Sequence, residues 1–179
     1  MAKYHIYTDG SSRGNPGKGG WATIVLSEDE GDLLFAEHDT EEQVTNNRME
    51  LKAMICALGY AESHPRDQFI IYSDSAYVVN SCNIWMRNWA MNGWRNSKKQ
   101  TVENVDLMKA LWDYMSREFP NFEIRQCKGH NGDVGNELAD ALATGDIRRF
   151  NDLSECWLNS WVNLSPDSED GGDNWFPID

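Results

Sequence analysis

The sequence predicts an α/β domain: one mixed β-sheet with helices packed on its faces. Two observations carry this reading. As far as Asp39, β-forming residues alternate between turn-rich stretches, the pattern of consecutive strands. From Thr45 the apolar period changes to that of a helix, and strand-like and helix-like segments then take turns. The order is βββαβα, another helix or two, then βα, with no internal repeat.

The elements follow in chain order. KYHIYTDG is the first strand. A Gly-rich turn, SSRGNPGKGG, leads into WATIVLS, and an EDEGD turn into LLFAEHD, giving three antiparallel strands. Leu51, Met54, Ile55 and Leu58 fall at i, i+3, i+4 and i+7, so a helix with one buried face starts near Thr45, capped by Thr45 or Asn46. QFIIYSDS is a short apolar run suited to a central strand, and SAYVVNSCNIW follows as a helix. Val105, Met108, Leu111, Trp112 and Met115 mark another amphipathic helix, which Pro120 ends. A strand, FEIRQCKG, a loop, HNGDVG, and a helix from Asn136 to Phe150 complete the domain, 1–150. Residues 151–179 read as an acidic tail: SPDSEDGGD is too polar to order itself, whereas WLNSWVNL is expected to pack on the domain as a short helix.

Composition narrows the function classes. No apolar run approaches the roughly 20 residues of a membrane span, and MAKYHIYTDG lacks the apolar stretch of a signal peptide, so a cytoplasmic protein is expected. Cys56, Cys82, Cys127 and Cys156 form no CxxC pair; most are expected to be buried, reduced thiols rather than a disulfide framework or zinc site. The net charge of −13 argues against a nucleic-acid partner. Seven acids and no Lys or Arg lie in 151–179, however, leaving −6 on the first 150 residues. Carboxylates that hold divalent cations would offset more of it, so the acidity does not exclude a polyanionic substrate.

Asp9 closes the first strand, Asp74 closes the fourth, Glu50 lies early in a helix, and Asp140 is on the last helix. Neighbouring strands ending at one edge of a mixed sheet would place Asp9 and Asp74 side by side, where ligand sites tend to form. Clustered carboxylates repel, and such a cluster is tolerable where it binds hard cations such as Mg²⁺.

The wording around these acids is specific. YTDGSSRGNPG, TNNRMEL, YSDS and KGH followed by NELAD resemble, in that order, the motifs of the type 1 ribonuclease H family, over residues 3 to 145. The resemblance implies the ribonuclease H-like fold, with a five-stranded mixed sheet of three antiparallel strands then two parallel ones, and helices on both faces. It also implies an endoribonuclease that hydrolyses the RNA strand of RNA/DNA hybrids with two Mg²⁺ ions, Mn²⁺ substituting, to leave 5′-phosphate and 3′-hydroxyl ends. Asp9, Glu50, Asp74 and Asp140 match the family's metal-binding set. Asp9 would bridge the metals, Glu50 would also accept from a ribose 2′-hydroxyl, and His130 matches the auxiliary histidine that shuttles a proton or releases product. His5, His38 and His64 have no such context and read as ordinary surface or core residues.

Minor-groove contacts are expected from the backbone of Gly10, Ser11 and Ser12, and from Asn15, Asn46 and Asn47, with Thr45 in a phosphate pocket. Where the family often has a polar residue, commonly Gln, this chain has Ala76, so a groove contact is lost. The segment IWMRNWAMNGWRNSKK has no acid and resembles the family's basic protrusion. Trp85, Trp89 and Trp94 could stack on sugars while Arg87, Arg95, Lys98 and Lys99 meet phosphates, and core packing weighs equally for Trp85 and Trp94. Compared with Lys-rich bacterial examples this handle is poor in charge.

The tail reads as a solubilising segment, a docking peptide for a protein partner, or a phosphate mimic in the hybrid channel. Two rivals to the nuclease are a catalytically weak hybrid-binding module and a related ribonuclease H-like exonuclease. The complete acid set opposes the first, and TNNRMEL with the tryptophan handle opposes the second. A monomer without membrane association is expected.

Overall fold

The computed structural model describes residues 2–129, 132–161 and 164. Its strands are β1 (Lys3–Gly14), β2 (Gly17–Leu26), β3 (Leu33–Val44), β4 (Gln68–Ser73) and β5 (Phe122–Gln126). They form one sheet in the order β3-β2-β1-β4-β5. β1, β2 and β3 pair antiparallel, and β4 and β5 join β1 in parallel, as expected of this mixed sheet.

The helices are α1 (Asn46–Ser63), α2 (Ala76–Asn80), α3 (Met86–Met91), α4 (Val105–Met115), α5 (Val134–Thr144) and α6 (Ile147–Trp157). They cover both faces, because successive strand residues point to opposite sides. Ile6 and Val25 join Leu51, Met54, Met108 and Leu111 in a core under α1 and α4. Their neighbours Tyr7 and Ile24 face the other way, into a second core with Leu138, Leu142 and Phe150.

Several boundaries differ from expectation. The Gly-rich SSRG segment does not form a turn: β1 continues through it to Gly14, paired with β2, and the reversal is confined to Asn15 and a cis Pro16. Thr45 is the N-cap of α1, its hydroxyl accepting from Arg48 N at 3.3 Å. The helix expected over SAYVVNSCNIW is present but widens into a π-turn at Ser81–Trp85 before α3. α4 stops at Met115, before Pro120 is reached.

The helix expected from Asn136 to Phe150 is broken. Gly145 adopts φ +82, a left-handed conformation open to glycine, and the chain restarts as α6. α6 carries Phe150 and continues to Trp157, burying Ser154. Leu158 is also buried, and Ser160 pairs with Asp32 at the entrance to β3. Of the segment WLNSWVNL, Leu158, Trp161 and Leu164 pack on the second core, but Trp157 ends α6 and Leu158 is extended, so the short helix expected there is not formed among the described residues. Residues 165–179, and the expectations placed on them, lie outside the described residues.

Among the described residues no helix is long and apolar enough to cross a membrane. The four cysteines are free; only Cys82 is fully buried, Cys56 and Cys127 are half-buried and Cys156 is exposed, so the thiols are less enclosed than expected.

Candidate active site

Three acids meet where the sheet forks. The parallel pairing of β1 with β4 ends at Thr8 opposite Ser73, so Asp9 and Asp74 leave the last paired residues side by side. β4 stops there, whereas β1 carries on against β2, with Asp9 opposite Ala22. Asp9 thus lies within a strand rather than closing one, held on a backbone that is hydrogen-bonded beyond it.

Glu50 comes from α1, and its approach depends on Gly10. A Cβ on Gly10 would lie 2.3 Å from Glu50 N and 2.4 Å from the Met49 carbonyl carbon, so only a residue without a side chain lets the helix come this close to β1. One carboxylate oxygen from each of Asp9, Glu50 and Asp74 lies within 4.8 Å of the others. Asp9 and Glu50 are buried, Asp74 half-buried, and Glu50 Oε2 has no hydrogen-bond partner among the described residues.

The electrostatics are those of buried carboxylates that repel one another. Burial first, then the charge of Asp74 and the approach of Asp140, push the Asp9 carboxyl up to about 8. Burial, with the charges of Asp9 and Asp74, raises Glu50 well above the usual carboxylate range, against a backbone hydrogen bond from Gly10 that favours its ionised form. Buried hard oxygens with an unsatisfied lone pair match the donor preference of Mg²⁺, so the residues present fit a divalent cation.

Asp140 is not part of this triangle. It reaches Asp9 from α5, while its Oδ2 accepts from Arg149 Nη1 at 2.6 Å. Arg149 was not singled out from the sequence. It lies nine residues beyond Asp140 and across a helix break, and only the position of Gly145 hinted at the turn that brings it back.

A family model described as RNase H matches residues 1–148. The chain belongs to the ribonuclease H family. It is 44% identical over 152 residues to the ribonuclease H of Herminiimonas arsenicoxydans, covering 84% of this chain and 99% of that protein. The ribonuclease H of Janthinobacterium sp. (strain Marseille) is likewise 44% identical over 148 residues, 82% of this chain and 97% of the relative. Among solved structures, the type 1 ribonuclease H LC9-RNase H1, which carries the type 2 active-site motif, superposes with a TM-score of 0.67 at 29% identity, covering 81% of this chain and 72% of its own. The solution structure of the PFV RNase H domain gives 0.70 at 26% identity, covering 81% of this chain and 94% of that domain. Ribonuclease H enzymes are metal-dependent nucleases, and the carboxylate triangle is where this member can hold its metal.

The other expected positions divide into clusters. Ser12 N and Ser12 Oγ both donate to Asn46 Oδ1, the latter at 3.0 Å, and Asn46 N donates to Asn15 Oδ1 at 3.0 Å. The β1–β2 turn is thereby tied to the start of α1, with Ser11 between Gly10 and this network and Asn47 half-buried on α1. Ala76 is exposed at the first position of α2.

On the handle, Trp89 and Trp94 are half-buried and pack against the core under α1. Trp85 is 39% exposed with its ring 5.9 Å from that of Trp89. Arg87, Arg95, Lys98 and Lys99 are exposed, and Arg95 Nη1 donates to Lys99 O at 3.0 Å, folding the tip on itself. His130 lies outside the described residues. His5 pairs with Glu30, His38 is buried, and the His64 ring contacts Tyr60 O at 2.8 Å, the ordinary roles expected of them.

Proposed function

We propose that this chain hydrolyses the RNA strand of RNA/DNA hybrids, using two Mg²⁺ ions held by Asp9, Glu50, Asp74 and Asp140 and leaving 5′-phosphate and 3′-hydroxyl ends. The observation that carries this reading is the Asp9, Glu50 and Asp74 triangle, with its buried, unpartnered Glu50 oxygen. When bound, the cations supply an acidified water and stabilise the departing 3′-oxygen.

The chain's own residues do the rest. Asp9, which is close to Asp74, Glu50 and Asp140 alike, would help to hold both cations. Gly10 donates its amide to Glu50 and leaves the second oxygen to face a cation or the 2′-hydroxyl that distinguishes RNA from DNA. His130 moves a proton or assists product release, as the family motif implies.

Ser12, Asn15 and Asn46 brace the wall that meets the minor groove, with Gly10, Ser11 and Asn47 beside them and Thr45 at a phosphate. Trp85 with Arg87, Arg95, Lys98 and Lys99 grips the DNA strand, while Trp89 and Trp94 hold that handle to the body. The loss of a polar side chain at Ala76 and the small number of basic residues make the grip weaker than in Lys-rich relatives. We assign the chain to the cytoplasm as a monomer, with a protein partner for the acidic C-terminal tail, 151–179.

The test is a cleavage assay with labelled RNA/DNA hybrid, duplex RNA, single strands and DNA, in Mg²⁺ or chelator. Cleavage confined to hybrid RNA, abolished by chelator and by Asp74→Asn, is the expected result. Cleavage of DNA, or of none of these substrates, overturns the reading.

A further inference from the structure

The fourth carboxylate, Asp140, is held by a guanidinium. Glu137 and Asp140 lie three residues apart on α5 and so share a face. Gly145 reverses the chain, and the Asp146 side chain caps α6 by accepting from Arg149 N at 3.0 Å. Arg149 is thus fixed in the first turn of α6, and the next residue, Phe150, is completely buried. From there the guanidinium forks: Nη1 donates to Asp140 Oδ2 at 2.6 Å, and Nη2 donates to Glu137 Oε2. The side chains are partly buried, Asp140 at 19%, Glu137 at 20% and Arg149 at 34% exposure, so the fork is less screened than a fully exposed ion pair.

We propose that Arg149 is a positioning residue for Asp140: by holding one carboxylate oxygen it aims the other at the cation site, and its fixed charge limits how tightly that site binds a cation. The inference rests on the assignment of Asp140 to the metal set. It gives the start of α6, where the family match ends at residue 148, a part in placing Asp140. Two effects then oppose each other. Charge favours removing Arg149, since the site becomes more negative. Geometry favours keeping it, since a carboxylate free to rotate is misplaced in the transition state.

The experiment separates the two on Arg149→Gln, Arg149→Lys and Asp140→Asn, each confirmed folded by circular dichroism. Mn²⁺ is titrated into the metal-free protein by calorimetry, and kcat and KM are measured on labelled hybrid at saturating Mg²⁺. Arg149→Gln is expected to bind Mn²⁺ about threefold to tenfold more tightly, yet to lose about tenfold or more in kcat with KM little changed. Arg149→Lys keeps the charge but not the fork, so Mn²⁺ affinity returns to that of the parent while kcat recovers only in part. A merely structural arginine would lower thermal stability without raising Mn²⁺ affinity, and that result overturns the proposal. If Asp140→Asn inactivates and Arg149→Gln changes neither quantity, the positioning role alone is overturned. If Asp140→Asn itself is silent, the metal assignment falls and this inference falls with it.

Discussion

Arg48 grips Asp106 with both terminal nitrogens, Nη1 to Oδ1 at 3.0 Å and Nη2 to Oδ2 at 2.8 Å, bracing α1 against the start of α4. The same guanidinium reaches Asn104 Oδ1 at 3.4 Å, and Asn104 Nδ2 donates to the Tyr77 hydroxyl on α2 at 3.1 Å. The helix that carries Glu50 is therefore clamped near its start by groups from two other helices. Nothing in the TNNRMEL motif announces this, since the partners of Arg48 lie far along the chain.

The pair with Arg48 draws the Asp106 carboxyl down to about 2. A depressed carboxyl contributes stability above its unfolded value near 4, and loses it as pH falls through the folded value. Because both groups face water, the contribution is below about 1 kcal/mol. Asp106→Asn should therefore lower the melting temperature by a few degrees at neutral pH, and the gap should close as pH falls from about 4 towards 2. Thermal scans of both proteins across that range check it; a gap that widens on acidification contradicts the assignment.

The carboxylate triangle has the opposite sign. Burial and mutual repulsion raise Asp9 to about 8, so its contribution is most favourable below the unfolded value near 4 and is lost as pH rises through about 8. The metal-free protein should lose stability over that window and regain it on adding Mg²⁺, with protons released on binding. Asp74→Asn removes one of the repelling charges and should raise the metal-free melting temperature at about pH 8. A metal-free melting temperature that is flat with pH, and unmoved by Asp74→Asn, would show that these acids are not coupled.

Gly10→Ala places a methyl 2.3 Å from Glu50 N, in backbone that cannot move without shifting α1. The expected cost is about 1–3 kcal/mol in unfolding free energy, and activity should fall further than stability because Glu50 is displaced. Urea unfolding and hybrid cleavage on the same preparation check it; activity equal to the parent would mean that α1 yields freely.

The handle carries four exposed basic residues, Arg87, Arg95, Lys98 and Lys99. If each meets one phosphate, they add at most about 4 to the magnitude of the slope of log affinity against log salt, and Lys98→Ala lowers that slope by about 1. Binding of hybrid in chelator, followed by fluorescence anisotropy at several salt concentrations, measures it. A slope as steep as that of a Lys-rich relative refutes the charge-poor grip.

Truncation distinguishes the packed part of the C-terminal segment from the rest. Ending the chain after Phe150 removes Leu158 and the bond from Leu33 N to Ser160 O at 3.1 Å, and should lower the melting temperature or cause aggregation. Ending it after Leu164 keeps these contacts, and the melting temperature should stay at the parent value. Equal behaviour of the two truncations would mean that residues 151–164 contribute nothing to the body.

Where each decisive feature is local, the sequence was sufficient. The period-two strands, the helical spacing of Leu51 to Leu58 and the wording around Asp9, Glu50 and Asp74 each occupy a few residues, and the sheet and the triangle follow from them. What escaped depended on tertiary neighbours. SSRG reads as a turn because Gly and Ser favour turns, yet pairing with β2 keeps it extended. Gly145 falls inside the helix expected from Asn136 to Phe150, and the docking of Phe150 and Leu158 on the second core accompanies its left-handed break. Trp94 suits both substrate and core by residue type, and the fold brings its half-buried ring against the core under α1.

The pairing of Asp32 with Ser160 has a consequence for how the molecule is made. β3 is an edge strand, and the residues that cover its entrance are translated long after it. A nascent chain that has reached only α5 still exposes Leu26 and Leu33, the patch onto which Leu158 later settles. Residues translated after the four carboxylates, rather than the catalytic motifs, close this side of the body, and a chain cut before Leu158 would carry its acids with an open, adhesive side.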